Sequence, residues 1–297
     1  MAHGAFHSDS DEPEIRESDE RIPKVIHQTW KTTNLPEEFA TYTAEWKRLH
    51  PLWRHCLWTD EDNRRLVERR YAWFLPIYDG YEHNICRVDA ARYFILHRYG
   101  GVYADLDAKP LRPFDALVDQ PQTRAFFGAE PLVHARLHGR KTVVCNAVMG
   151  SVRGHPLWPR LFERLVASRH KRRPLHCTGP IVLTQLYEQE PSLFDDVVIY
   201  EPETFYPLPS TSWLSRVLLR TKSAESYDTS RSYAAHLWRS TWAGDTVRKN
   251  TRAMLPYILL TLGLLALFAV ALVVLRQRRR RRQNDRLRLE ATTAIAL

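Results

Sequence analysis

Asp105 and Asp107 stand two residues apart at the end of a short β-branched and aromatic run, Val102 to Leu106. Side chains alternate across a strand, so both carboxylates are expected on one face. Two carboxylates so close repel each other and raise one another's pKa unless a cation lies between them, and hard oxygen donors suit Mg²⁺ or Mn²⁺. A metal held there neutralises a diphosphate leaving group. The D-x-D spacing alone is a weak signal, because it occurs three times. Asp9 with Asp11 lies in a polar tail, and Asp60 with Asp62 opens a helix, where acidic residues favour the helix dipole. Only the third pair follows an apolar strand.

The element before that strand must position it. Ile85, Val88, Ile95, Leu96 and Tyr99 fall on one stripe at helical spacing, predicting a helix over Ile85 to Tyr99. Arg92 projects into that stripe, and Asp89 one turn earlier is within reach to pair with it, since an unpaired buried charge costs several kcal/mol. The pair either fixes the helix or serves a ligand, and the two roles are compatible, because an Arg oriented by Asp presents its fork to a phosphate oxygen. Gly100 and Gly101 end the helix.

Further strands are expected near Lys24 to Gln28, His55 to Trp58, Ala125 to Gly128, Val144 to Met149 and Val197 to Tyr200. Helices alternate with them at Glu37 to Leu49, Asp60 to Tyr71, Pro156 to Ser168 and Pro180 to Glu188. This alternation predicts an α/β fold with a mostly parallel sheet, whose ligand sites lie at the carboxyl ends of its strands. The first strand ends in HQTW, which places His27, Gln28 and Trp30 at such an edge. Trp30 either stacks on a nucleobase or belongs to the core, and His27 reads best as a structural hydrogen bonder.

RVDAARYFILHRY followed by GGVYADLDA, with IPKVIHQTWKT upstream, resembles glycosyltransferase family 32 across Ile22 to Trp242. Asn146 in VCNAVMGSVRGHP, Gly179 in HCTGP, and His236, Trp238 and Trp242 in AAHLWRSTW fit the same family in order. The resemblance implies a GT-A fold, Rossmann-like, and a metal-dependent transferase that retains anomeric configuration. By resemblance, Asp89 and Arg92 bind the donor sugar and phosphate, Asp105 and Asp107 hold Mn²⁺ or Mg²⁺, and His236 is a candidate third ligand or a core histidine. Trp30, Tyr103, Asn146, Ser240 and Trp242 are the remaining candidate donor contacts. The family includes inositol phosphoceramide mannosyltransferases and initiating α-1,6-mannosyltransferases, so GDP-mannose is the expected donor. A glycolipid or glycan is the expected acceptor, and a regulatory membrane subunit an implied partner. UDP-sugar transfer and a catalytically silent, membrane-tethered binding module are the competing readings.

The first 21 residues are rich in Asp, Glu and Ser and lack an apolar run, so a disordered acidic tail is expected over 1–21 and the catalytic domain over 22–244. A juxtamembrane linker at 245–254 leads to Leu255 to Leu275, an uncharged stretch long enough to span a bilayer. The tail 276–297 opens with RQRRRRR and carries +6 of the formal +9 charge. The high pI is therefore a property of that tail, and nucleic-acid binding loses its main support. An Arg cluster beside a membrane helix prefers the cytosol, which places the catalytic domain in the lumen of the ER or Golgi. A tail-anchored cytosolic orientation is the alternative. Cys56, Cys86, Cys145 and Cys177 form no zinc or CxxC pattern and read as buried free thiols.

Overall fold

A computed structural model describes residues 21–208 and 227–239, together with Gly263, Arg276 and Gln277. The expected acidic tail up to residue 20, the linker at 245–254, the expected membrane helix apart from Gly263, and the Arg-rich tail beyond Gln277 lie outside the described residues. Ser240 and Trp242 lie outside them as well. Among the described residues no helix is long and apolar enough to cross a membrane. The chain divides into two compact units, Met1–Arg239 and Ser240–Leu297, and the sheet, the core and the site belong to the first.

In chain order the elements are β1 (Val25–Thr29), α1 (Glu37–Leu49), β2 (Arg54–Trp58), α2 (Asp60–Arg70), α3 (Leu75–Asp79), α4 (Asn84–Tyr99), β3 (Gly101–Ala104), β4 (Ala108–Pro110) and α5 (Asp115–Val118). They continue with β5 (Ala125–Ala129), α6 (Leu132–Leu137), β6 (Val144–Ser151), α7 (Leu157–Ser168), α8 (Pro174–Cys177), α9 (Pro180–Gln189), β7 (Val197–Tyr200), α10 (Pro202–Phe205) and β8 (Ala234–His236). Every strand and long helix expected from periodicity is present within two residues. The short elements α3, α5, α6, α8, α10, β4 and β8 carry too few residues for a period to show.

The main sheet has the order β2-β1-β3-β6-β5-β7. The pairs β1 with β2, β1 with β3 and β5 with β7 are parallel, whereas β6 runs antiparallel to both β3 and β5. One reversed strand in six leaves the sheet mostly parallel, as expected of a GT-A-like α/β fold. The chain returns from β5 to β6 through residues 130–143 and the short α6, and the two strands pair antiparallel.

Strand alternation divides the core between the two sheet faces. Tyr103, Phe127 and Met149 pack with α4 and α7 on one side. Their neighbours Val102, Phe126 and Val148 pack with Trp46, Phe114 and Phe205 on the other. Helix α4 is buried nearly all round, with Ala90, Ala91, Phe94, Ile95 and Leu96 fully enclosed, rather than along a single stripe. Burying each of the larger three contributes roughly 1.5–3 kcal/mol. Ala90 and Ala91 let neighbouring elements approach closely, so a Leu at either would overpack the centre at a cost of about 1–3 kcal/mol. The helix stops at Gly100 (φ 60°) and Gly101 (φ 91°), and a Cβ on Gly101 would stand 2.6 Å from the Val25 carbonyl oxygen. Only glycine fits between α4 and β1 there.

At the start of α2, the Thr59 Oγ1 accepts from the Asp62 N–H at 3.1 Å while the Thr59 N–H donates to Asp62 Oδ2 at 3.0 Å. The second D-x-D is thus consumed by a capping box. All four cysteines are buried free thiols.

Candidate active site

Strand β3 ends at Ala104, so Asp105 and Asp107 occupy the turn beyond it, not the strand itself. The turn is closed by the Ala108 N–H donating to the Asp105 carbonyl at 2.9 Å. This corrects the expectation that strand alternation aligns the two carboxylates: a tight turn does it. His236 arrives from the far end of the described chain because β8 pairs antiparallel with β4, setting Ala108 against His236. Its Nε2 lies 3.0 Å from Asp107 Oδ1 and 3.8 Å from Asp105 Oδ2. One ligand atom from each of the three residues lies within 4.8 Å of the others.

Two carboxylates and an imidazole form a donor set that fits a divalent cation such as Mn²⁺ or Mg²⁺. Burial opposes a charge on His236, but the adjacent Asp107 and Asp105 outweigh it and raise its pKa to about 10. Burial likewise works to raise Asp107, and His236 with the Arg239 backbone N–H, 2.8 Å from Asp107 Oδ2, holds its carboxyl below the ordinary range. A metal entering the cluster therefore competes with a proton on His236. Asp105 is the most open member, with a quarter of its side chain exposed.

Beneath Asp105 lies a buried polar network. The Arg92 guanidinium sits 3.2 Å from Asp105 Oδ1 and 3.0 Å from Asp89 Oδ1, donates to the Asn146 carbonyl at 2.9 Å, and covers the Tyr103 ring at 4.7 Å. The Tyr103 hydroxyl donates to Asp105 Oδ1 at 2.8 Å. Asn146 Nδ2 donates to Asp89 Oδ1 at 3.1 Å and to the Tyr93 hydroxyl at 2.8 Å, and Thr178 Oγ1 donates to Asp89 Oδ2 at 3.2 Å. Burial raises Asp89 to about 6, with Arg92 pulling the other way. Asp89 and Arg92 are only 6% and 3% exposed, so the Asp89–Arg92 pair expected from α4 is a structural support of the carboxylate above it.

Of the expected donor contacts, His27, Gln28 and Tyr103 are fully enclosed. His27 Nδ1 accepts from Trp58 Nε1 at 3.1 Å and Nε2 donates to the Gly100 carbonyl at 3.0 Å, tying β1 to β2 and to the end of α4. Burial lowers its pKa to about 3, so the ring stays neutral. Gln28 Oε1 accepts from Thr43 at 3.2 Å. Trp30, just past the carboxyl end of β1, is half-buried and meets Phe39 edge-on at 5.2 Å.

Sequence reading missed Tyr93, Thr178, Glu130, His134 and the Arg239 backbone. The Glu130 and His134 side chains, both mostly buried, meet at 3.0 Å after the carboxyl end of β5. Trp238, at a positive φ of 53°, is wedged between the rings of His134 at 4.6 Å and His236 at 4.4 Å. The i,i+4 spacing of Glu130 and His134 was a visible signal for that pair. Thr178, next to the singled-out Gly179, had none beyond adjacency.

Residues 36–124 match the model of the glycosyltransferase sugar-binding region containing the DXD motif. The chain is 36% identical over 174 residues to inositol phosphoceramide mannosyltransferase 3 of Schizosaccharomyces pombe, the match covering 56% of this chain and 45% of that protein. It is 24% identical over 280 residues to the initiation-specific alpha-1,6-mannosyltransferase of Candida albicans, covering 75% of this chain and 73% of that one. Among solved structures, the PaToxG glycosyltransferase aligns with a TM-score of 0.44 and 20% identity, over 58% of this chain and 72% of that chain. The chain spans about half the length of the inositol phosphoceramide relatives that it matches.

Proposed function

We propose that this chain, which belongs through residues 36–124 to the DXD glycosyltransferases, is a metal-dependent, retaining transferase that moves mannose from GDP-mannose to a glycolipid of the inositol phosphoceramide type or to a glycan. The observation that carries this reading is the convergence of Asp105, Asp107 and His236 at the carboxyl edge of the sheet. The names of the relatives supply the sugar and the acceptor class. A regulatory membrane subunit belongs to the same proposal. So does anchorage by 255–275, with the catalytic unit in the lumen of the ER or Golgi, for which the charge of the 276–297 tail is the support.

Bound at this cluster, Mn²⁺ or Mg²⁺ supplies the positive charge that neutralises the diphosphate as the glycosidic bond breaks. The chain's own residues do the positioning. Arg92 and Tyr103 hold Asp105 from below and leave one side of its carboxylate open, while the Arg239 N–H fixes Asp107. Because these contacts exist before any ligand arrives, little reorganisation is needed at the moment of reaction. We assign Trp30, beyond the carboxyl end of the neighbouring β1, the role of covering a nucleobase.

The test is nucleotide release by the full chain from GDP-mannose, UDP-glucose, UDP-galactose and UDP-N-acetylglucosamine, each with Mn²⁺ and with chelator. Release from GDP-mannose alone, abolished by chelator, is expected. Release from a UDP-sugar instead would overturn the donor assignment, and silence with every donor would overturn the enzyme reading.

A further inference from the structure

Two stretches rich in Lys and Arg, 131–142 and 168–176, contain no Asp or Glu. The fold brings them side by side. Leu175 packs against the small cluster of Ala135, Val143 and Ile181, and the rings of His138 and His176 lie 6.4 Å apart. His176 registers the crowding: partial burial, then the charges of His138, Lys171, Arg173 and Arg140, lower its pKa. Arg136, Lys141, Arg169, Lys171, Arg172 and Arg173 are all exposed. Of the seven Lys and Arg in the two stretches, only Arg140 forms an ion pair among the described residues, with Glu188. Some arginines elsewhere on the surface are matched by carboxylates, as Arg64 is by Asp79 at 2.8 Å and Arg160 by Glu190 at 2.9 Å.

Within this cationic rim, helix α6 turns two leucines outward, Leu132 at 53% and Leu137 at 59% exposure. Apolar side chains flanked by exposed Lys and Arg suit the headgroup layer of a bilayer, where the leucines enter and the cations meet lipid phosphates. A soluble phosphate gains nothing from exposed leucines. The buried side of these elements reaches the candidate site. His134 of α6 touches Trp238, which touches His236, and Thr178, one residue past α8, bonds to Asp89.

We propose that α6 and the 168–176 segment form a docking face for a bilayer surface carrying anionic lipid. This inference goes beyond the transferase reading and does not depend on it, since lipid contact is measured without any donor sugar.

The experiment is amide hydrogen exchange of the full chain in lipid nanodiscs of phosphatidylcholine, with and without phosphatidylserine, at low and high salt. Slower exchange of 131–142 and 168–176 is expected only with phosphatidylserine and at low salt. The exposed pair Lys171→Gln with Arg172→Gln should retain the fold and weaken docking by about fivefold per charge removed. Leu137→Asp should remove the protection of α6. Equal exchange with and without phosphatidylserine would overturn the proposal. Equal protection by soluble glycerophosphoserine would also overturn it, in favour of a headgroup pocket.

Discussion

Arg92→Met, which keeps most of the side-chain volume and removes the charge, tests the network beneath Asp105. Arg92 is 3% exposed and holds Asp89, itself 6% exposed, at 3.0 Å, so its loss leaves a buried carboxylate without its cation. Breaking a buried pair from one side costs about 3–5 kcal/mol. Protonation sets a ceiling on this cost. Asp89 already titrates near 6 with Arg92 in place, because of burial, and goes higher without it. At pH 7 the mutant can fold with Asp89 protonated, and neutralising a carboxyl of unfolded pKa about 3.9 costs about 4 kcal/mol at pH 7 but only about 1.5 kcal/mol at pH 5. The sign follows, since the folded mutant binds a proton that the unfolded chain has released, so its stability falls as pH rises. Thermal melts in chelator should show a Tm loss of about 8–16 °C at pH 7 and well under half of that at pH 5. The double variant Arg92→Met with Asp89→Asn carries no buried charge and should recover most of the loss. Equal destabilisation at both pH values, or a double variant no better than the single, would refute the assignment of the pair as a buried charge balance.

Asp105→Asn with Asp107→Asn should lower Mn²⁺-dependent nucleotide release at least about a thousandfold while changing the melting temperature by a few degrees at most, and retained release would sink the metal assignment. Since burial is overcome by Asp107 and Asp105 and His236 is raised to about 10, metal binding at neutral pH should expel close to one proton. Calorimetry in buffers of different ionisation enthalpy reads that number directly, and affinity should climb about tenfold per pH unit below 10. The same raised pKa means that the metal-free protein loses stability as pH rises from 6.5 towards 10, because the folded state alone retains the proton there. Trp30→Ala should weaken GDP binding by roughly 1–3 kcal/mol if its ring covers the base, and unchanged affinity would place it with Phe39 as packing only.

The long elements were legible because their periodicity is a local property. Helix α4 showed its spacing and its two terminal glycines, and β7 its β-branched run. The Asp89 to Arg92 pair was legible for the same reason, three residues on one helix being neighbours whatever surrounds them. The enclosure of Gln28 and Tyr103 was not legible because a strand end in sequence does not reveal which side chains are covered by the next strand and helix. Tyr103 alternates inward, beneath Arg92, and only packing decides that.

The sequence by itself determined the α/β alternation, the acidic pair after β3 and the charge of the terminal tail, since each depends on residues within a few positions of one another. Tertiary structure alone decided which third group joins Asp105 and Asp107. His236 is remote in sequence and reaches them through β4 and β8, two three-residue strands whose pairing is fixed by backbone hydrogen bonds rather than by any side-chain pattern. Tertiary structure likewise gathered two ordinary basic stretches into one face, because charges combine according to distance in space and not along the chain.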